Sequence, residues 1–229
     1  MKLEKEIQAQ PNFSIILPGG CNAHCSFCFW KKTKTSPVYL DRLEQYISLL
    51  PNIFTQCSIT GGEPLLSVFF EPILNLIKKK YPKVVLTTNG SNLLDKEDIL
   101  KGVVNHVNIS RHCVDDEKNY AIFGDKEIPS TLELTSICEK LNSMLIDVNL
   151  NCIILDPEEG SKDFVFDFIS YAKKIGASSV TFRKDYKFNN LDLMKLDNLF
   201  PNTTFEKGCP VCKTRQKLIK GMNVFLNIH

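Results

Sequence analysis

Residues 13–28 read FSIILPGGCNAHCSFC, and two patterns meet in them. Phe13 to Leu17 is a short, β-branched apolar run stopped by Pro18-Gly19-Gly20, the signature of a strand that runs into a loop. That loop then carries three thiols, Cys21, Cys25 and Cys28, within eight residues. A leading strand with its chemistry in the loop behind it belongs to parallel α/β folds, whose functional loops follow the strand ends.

Outward from this stretch the same step repeats. Residues 41–50 have apolar side chains at Leu43, Tyr46, Ile47 and Leu50, a helical stripe that Pro51 ends. Residues 56–60 form a strand running into Gly61-Gly62, 69–80 an amphipathic helix, and 84–88 a strand stopped by Asn89-Gly90. Helix over 95–103, strand over 104–110, helix over 131–144, strand over 146–155, helix over 164–175 ended by Gly176, and strand over 179–183 complete six steps. Strict alternation implies parallel strands with right-handed crossovers, either an open doubly wound sheet or a partial or full barrel. Lys78-Lys79-Lys80 closes a helix, where cations meet the negative end of its dipole, and takes no functional assignment.

The composition excludes several classes. The 229 residues are 43% apolar and 24% charged, which is globular rather than disordered. A net charge of +2 gives no broad field for a nucleic acid or an anionic membrane, so neither is expected as a partner. The N-terminal MKLEKEIQAQPNF has no signal-peptide core, and no apolar run approaches a membrane span, so a cytoplasmic location is expected. Nine cysteines in a reducing compartment are metal ligands, catalytic thiols or buried apolar residues rather than disulfides. Cys57, Cys138 and Cys152 fall within strand or helix patterns and are expected to be buried. Cys21, Cys25 and Cys28 suit an iron–sulfur cluster, because a closed structural zinc site needs four ligands and three thiolates leave one iron open.

Cys21-Asn-Ala-His-Cys25-Ser-Phe27-Cys28 resembles the CxxxCx(aromatic)C loop of the radical S-adenosylmethionine (SAM) superfamily, and Gly61-Gly62-Glu63-Pro64 resembles its GGEP segment after strand two. The resemblance extends over the barrel and is closest to the branch that includes the molybdenum-cofactor GTP 3′,8-cyclase and peptide-modifying enzymes. It implies a partial (β/α)6 TIM-like barrel over residues 1–188, with a C-terminal extension over 189–229 that closes or caps the open side. It further implies a [4Fe–4S] cluster on Cys21, Cys25 and Cys28, with SAM at the unique iron. An electron from the reduced cluster would split SAM into methionine and a 5′-deoxyadenosyl radical that takes a substrate hydrogen. Phe27, Gly61, Gly62, Glu63 and Pro64 are carried over as cofactor-binding. So are Thr88 and Asn89 of TTNG, Ser110 and Arg111 at the end of strand four, Asn151 near the ribose, and Arg183 at the end of strand six. A reductant such as flavodoxin or ferredoxin is the implied electron donor.

The tail departs from the cyclase. Cys209-Pro-Val-Cys212 echoes the start of its auxiliary cluster, but Leu226 stands where the third cysteine is expected, and His229 stands in place of a Gly-Gly terminus. The pair is half of an auxiliary cluster, half of a zinc site, or two redox or hydrogen-donating thiols; all three readings stay open. Cys113, just after strand four, is a candidate catalytic thiol, to be weighed against a plain loop cysteine. The expected substrate is a peptide or protein, with a nucleotide or other small molecule as the alternative, Arg111, Arg183 and Arg215 then meeting its anionic groups. A non-catalytic iron–sulfur redox sensor is the rival of another class.

Overall fold

The computed structural model describes residues 12–28, 40–50, 53–124, 127–155, 162–185 and 215–227. In chain order the elements are β1 (Asn12–Leu17), α1 (Leu40–Leu49), β2 (Gln56–Gly61), α2 (Phe70–Ile77), β3 (Lys83–Thr88), α3 (Glu97–Leu100), β4 (His106–Ser110), α4 (Asp116–Phe123), α5 (Thr131–Ser143), β5 (Asp147–Ile154), α6 (Lys162–Lys174), β6 (Ser179–Lys184), β7 (Arg215–Ile219) and β8 (Met222–Asn227). They build one sheet of order β1-β2-β3-β4-β5-β6-β8-β7. Every neighbouring pair is parallel except β7 and β8. The sheet is open, with β1 and β7 as its edges. Among the described residues no helix is long and apolar enough to cross a membrane.

The six strands read from the sequence are all present. The extension adds a hairpin, whose tight turn puts Lys220 and Gly221 at φ 49° and 77°, the twist that two-residue hairpins favour. β8 joins β6 in parallel, so the tail lengthens the sheet, and among the described residues no pairing joins it to β1. Three helices differ from expectation. The segment 95–103 yields only a 3-10 turn and the four-residue α3, and α4 occupies a stretch to which the sequence pattern assigns no element. The helix expected to end on three lysines stops at Ile77, and Lys80 instead donates to the carbonyls of Ile47 and Leu50 at the end of α1. The cation thus serves its neighbour's helix terminus.

Strand side chains alternate between two unlike faces. Ile15, Leu17, Cys57, Ile59, Val84, Leu86, Val107, Ile109, Val148, Leu150, Cys152, Val180 and Phe182 are buried in one core with the apolar stripes of the helices. Phe168 of α6 meets Phe182 edge-on at 5.6 Å. Cys57, Cys138 and Cys152 are buried there as expected, and burial pushes the thiols of Cys57 and Cys138 up to about 12. The opposite, inner face carries Ser14, Ser58, Thr60, Thr87, His106, Asn108, Ser110, Asn149, Asn151, Ser179 and Thr181. A closed TIM barrel fills that space with Val, Ile and Leu. Neutral polar groups there suit a ligand better than a packed core.

Candidate functional site

The carboxyl ends of the strands bring the cysteine loop, the Gly61–Pro64 turn and the end of β3 together. Gly61 permits the first approach. A Cβ there would lie 2.6 Å from the Leu17 carbonyl oxygen, so only glycine lets β2 run this close to the strand that launches the cysteines. Two residues on, Glu63 N–H donates to the Gly20 carbonyl at 3.1 Å, fastening the turn to the loop.

Glu63 is the bracket of the site. It is 2% exposed, and it accepts from Thr88 Oγ1 at 2.6 Å, Asn89 N–H at 2.7 Å and Leu65 N–H at 3.0 Å. Burial pushes its carboxyl up from the ordinary range, against the pull of these donors. Pro64 begins the 3-10 turn that Glu63 caps. Thr88 spends its hydroxyl on this bracket and accepts from Gly90 N–H at 3.0 Å. Asn89 donates its side-chain amide to Asn22 Oδ1 at 2.8 Å, and the same nitrogen lies 4.0 Å from Cys21 Sγ. Thr88 and Asn89, read as ligand-binding, here tie β3 to the loop.

Cys21 and Cys28 are half-buried, Cys25 is buried, and none of the three is in a disulfide. Desolvation raises the Cys21 pKa, and Glu63 and Cys28 add to it. The other wall of the loop is aromatic. His24 N–H donates to the Phe123 carbonyl at 2.6 Å, and Gly124, the left-handed cap of α4, passes so close that a Cβ would lie 3.1 Å from His24 Cβ. His112 stacks on Phe123 at 4.9 Å and meets Phe27 edge-on at 5.0 Å. Its Nδ1 accepts from Ile153 N–H at 3.1 Å, so the ring is neutral with its proton on Nε2. Burial, aided by Arg111, pushes its pKa down to about 3. Asn119 Oδ1 holds the backbone N–H groups of His112 and Cys113 at 2.9 and 3.3 Å.

The remaining candidates divide. Ser110 and Asn151 are register partners on the inner face, and Arg183 follows Thr181 on the same side of β6. Cys113, in the loop between β4 and α4, is buried. Arg111 is not brought into the group. It is 1% exposed and donates to the carbonyls of Cys113 at 2.6 Å, Val114 at 3.0 Å and Pro129 at 3.1 Å, and to Asp116, over the Tyr171 ring. Burial raises Asp116, but hydrogen bonds from Arg111 and Thr131 outweigh it and hold the carboxyl below its ordinary range. Cys209 and Cys212 lie outside the described residues. Sequence reasoning passed over His112, Asn119 and Asn149; the spacing Asn149-x-Asn151 within a strand is the signal that both amides share a face.

Residues 15–179 match the family described as the radical SAM superfamily. A probable GTP 3′,8-cyclase of Thermococcus kodakarensis is 30% identical over 176 residues, covering 72% of this chain and 54% of that protein. An S-adenosylmethionine-dependent nucleotide dehydratase of Lacinutrix mariniflava is 26% identical, covering 71% of this chain and 36% of the dehydratase. The chain spans about half the length of the first of these curated relatives. Among solved structures, Streptococcus suis SuiB bound to the precursor peptide SuiA superposes with a TM-score of 0.66 at 16% identity, covering 83% of this chain and 44% of SuiB, which is a likeness of fold. The family match, over the strands that assemble the cysteine loop and the Glu63 bracket, identifies the chain as a member of the radical SAM superfamily.

Proposed function

We propose that this enzyme holds a [4Fe–4S] cluster on Cys21, Cys25 and Cys28, binds SAM beside it, and takes a hydrogen atom from a nucleotide seated on the inner face. The superfamily implies the cluster and SAM. The donor set of the loop fits the cluster. A cubane needs one thiolate at each of three separate irons. Three cysteines outside any disulfide, in a loop fastened by Gly20, His24 and the Asn89–Asn22 bond, supply such a set. When bound and reduced, the cluster supplies the electron that splits SAM into methionine and a 5′-deoxyadenosyl radical.

The chain's own part is to orient and to exclude water. Glu63 sets the turn that would offer acceptors to SAM's ammonium, and Phe27, held by His112, walls the loop. On this reading residues 1–188 are the initiating unit and 189–229 its C-terminal extension. The single observation carrying the proposal is the meeting of the cysteine loop with the buried Glu63 at the strand ends.

The nucleotide assignment draws on relatives named for action on GTP and on nucleotides, and on amide and hydroxyl groups on the inner face beside Arg183. A peptide substrate, the first expectation from sequence, is the second reading, favoured by the Cys209/Cys212 pair of the tail. The test is 5′-deoxyadenosine formation by the anaerobically reconstituted enzyme with dithionite and SAM. Nucleoside mono-, di- and triphosphates are compared with peptides encoded beside its gene. Stimulation by a nucleotide, with its hydrogen recovered in 5′-deoxyadenosine, supports the assignment; stimulation by a peptide alone replaces it with the second reading.

A further inference from the structure

Asn89, buried at the end of β3, has an amide whose direction is fixed from both ends. Its Oδ1 accepts from the Ser91 backbone N–H at 3.0 Å, and a backbone N–H can only donate. Its Nδ2 therefore faces the cysteine loop, where it donates to Asn22 Oδ1 at 2.8 Å. Asn22 in turn points its Nδ2 at the Glu127 carboxylate, 3.5 Å away, a group that accepts when ionised. Reversing the Asn89 amide would set its oxygen against Asn22 Oδ1 and its NH2 group against the Ser91 N–H. An amide nitrogen carries two hydrogens, and Asn22 takes one. The other has Cys21 Sγ within reach, at 4.0 Å, the long end for a bond to sulfur. The backbone of Asn89 is held as well, its N–H donating to Glu63 Oε2 at 2.7 Å, so the amide cannot leave the loop without breaking the buried bracket.

We propose that Asn89 is a positioning residue for the cluster, its NH2 group donating to the Cys21 sulfur and raising the reduction potential at which the cluster takes up its electron. The inference rests on the proposed function, in which Cys21 is a cluster ligand. An added electron increases the negative charge on the cluster and its thiolates, and hydrogen bonds to those sulfurs are one of the levers that set cluster potentials. The charged side chains described around the loop do not pull this way. Arg111 is turned to Asp116 and three carbonyls, and Glu63 opposes negative charge on Cys21. A neutral donor of fixed direction acts against that opposition. The step is a one-electron reduction: the electron passes from an external reductant, dithionite in the test, to the cluster, and both N–H bonds of Asn89 stay intact.

The test is the midpoint potential of the reconstituted full chain without SAM, read from the electron paramagnetic resonance signal of the reduced cluster in a dithionite titration. Only signal that is absent from Cys21/Cys25/Cys28→Ala is counted. Asn89→Leu removes the NH2 group at similar volume. At a given potential its ratio of reduced to oxidised cluster is expected to fall about three- to tenfold, the worth of one hydrogen bond, tenfold being about 59 mV for one electron. Asn89→Ser, which keeps an oxygen for the Ser91 N–H but has no NH2 group, is expected to shift in the same direction and guards against poor folding of the leucine variant. Asn22→Ala breaks the tie to the loop yet leaves the Asn89 NH2 group for Cys21, so its midpoint is expected to stay at the wild-type value. A wild-type midpoint in an iron-loaded Asn89 variant, or an equal shift in Asn22→Ala, would overturn the tuning role. So would failure of both Asn89 variants to hold iron, which marks a structural tie alone. In each of these cases a wild type that loads iron on the three cysteines and cleaves SAM leaves the proposed function standing. A wild type that loads no iron there removes that function, and this inference with it.

Discussion

Replacing Gly61 by alanine tests how closely the site depends on one backbone approach. The added methyl would lie 2.6 Å from the Leu17 carbonyl oxygen, 3.2 Å from its nitrogen and 3.4 Å from its carbonyl carbon. All three are backbone atoms in a paired parallel register, Leu17 opposite Gly61, so no side chain can swing aside. Relief requires β1 and β2 to part, a cost of about 1–3 kcal/mol for overpacking. For a chain of this size that lowers Tm by about 2–12 °C. Leu17 also leads directly into Pro18-Gly19-Gly20-Cys21, so the displacement carries into the cysteine loop, and iron bound after reconstitution should fall with stability. Gly20→Ala is the internal control, since a Cβ there meets nothing within 4 Å. The assay is thermal and urea unfolding of the apo chain, followed by iron and sulfide determination. Equal stability and equal iron in Gly61→Ala and Gly20→Ala would refute the close-approach argument.

Other outcomes follow from the same geometry. Glu63→Gln must set an NH2 group against a backbone N–H of Asn89 or Leu65, so it is expected to lose a charge-assisted bond of about 1.5–3 kcal/mol in urea unfolding and to bind SAM more weakly. His112, pushed down to about 3, is neutral in the fold while the unfolded chain takes up its proton near the usual value of 6.5. Stability is therefore complete above pH 6.5 and falls with acidification, by up to about 1.4 kcal/mol per pH unit. His112→Gln should lack this part of the slope when urea midpoints are compared at pH 7.5 and 5.5. Arg111→Met leaves three carbonyls and Asp116 without their cation, at a cost of about 3 kcal/mol, the low end for a broken buried pair because Asp116 is partly open to solvent. Folded Arg111→Met should retain wild-type SAM affinity, whereas a residue touching the ligand would lose it.

The parallel order of the first six strands was legible because each is a short apolar run followed by a turn signal, and the helices between them carry stripes. α4 was not. Its eight residues, DEKNYAIF, have no stripe, and the only buried ones are Asn119 and Phe123. Its ends were nevertheless written in the sequence, Asp115 capping the first turn and Gly124 the last. The cysteine loop and the GGEP turn were legible as motifs, since both are local in sequence. Arg111 could not be placed from its position at a strand end. Its direction depends on carbonyls contributed by Val114 and Pro129 and on Asp116, none of which forms a motif with it. Asn149 illustrates the converse, a residue of ordinary strand alternation whose weight comes from partners on two neighbouring strands.

The central claim is a SAM-cleaving cluster on three loop thiols. Its most direct test is iron, sulfide and 5′-deoxyadenosine per chain after anaerobic reconstitution with dithionite and SAM, for the wild type and for Cys21/Cys25/Cys28→Ala. The triple variant is expected to lose about four irons and all 5′-deoxyadenosine formation, any residual iron then belonging to Cys209 and Cys212. A triple variant that keeps full iron content, or still cleaves SAM, would contradict it.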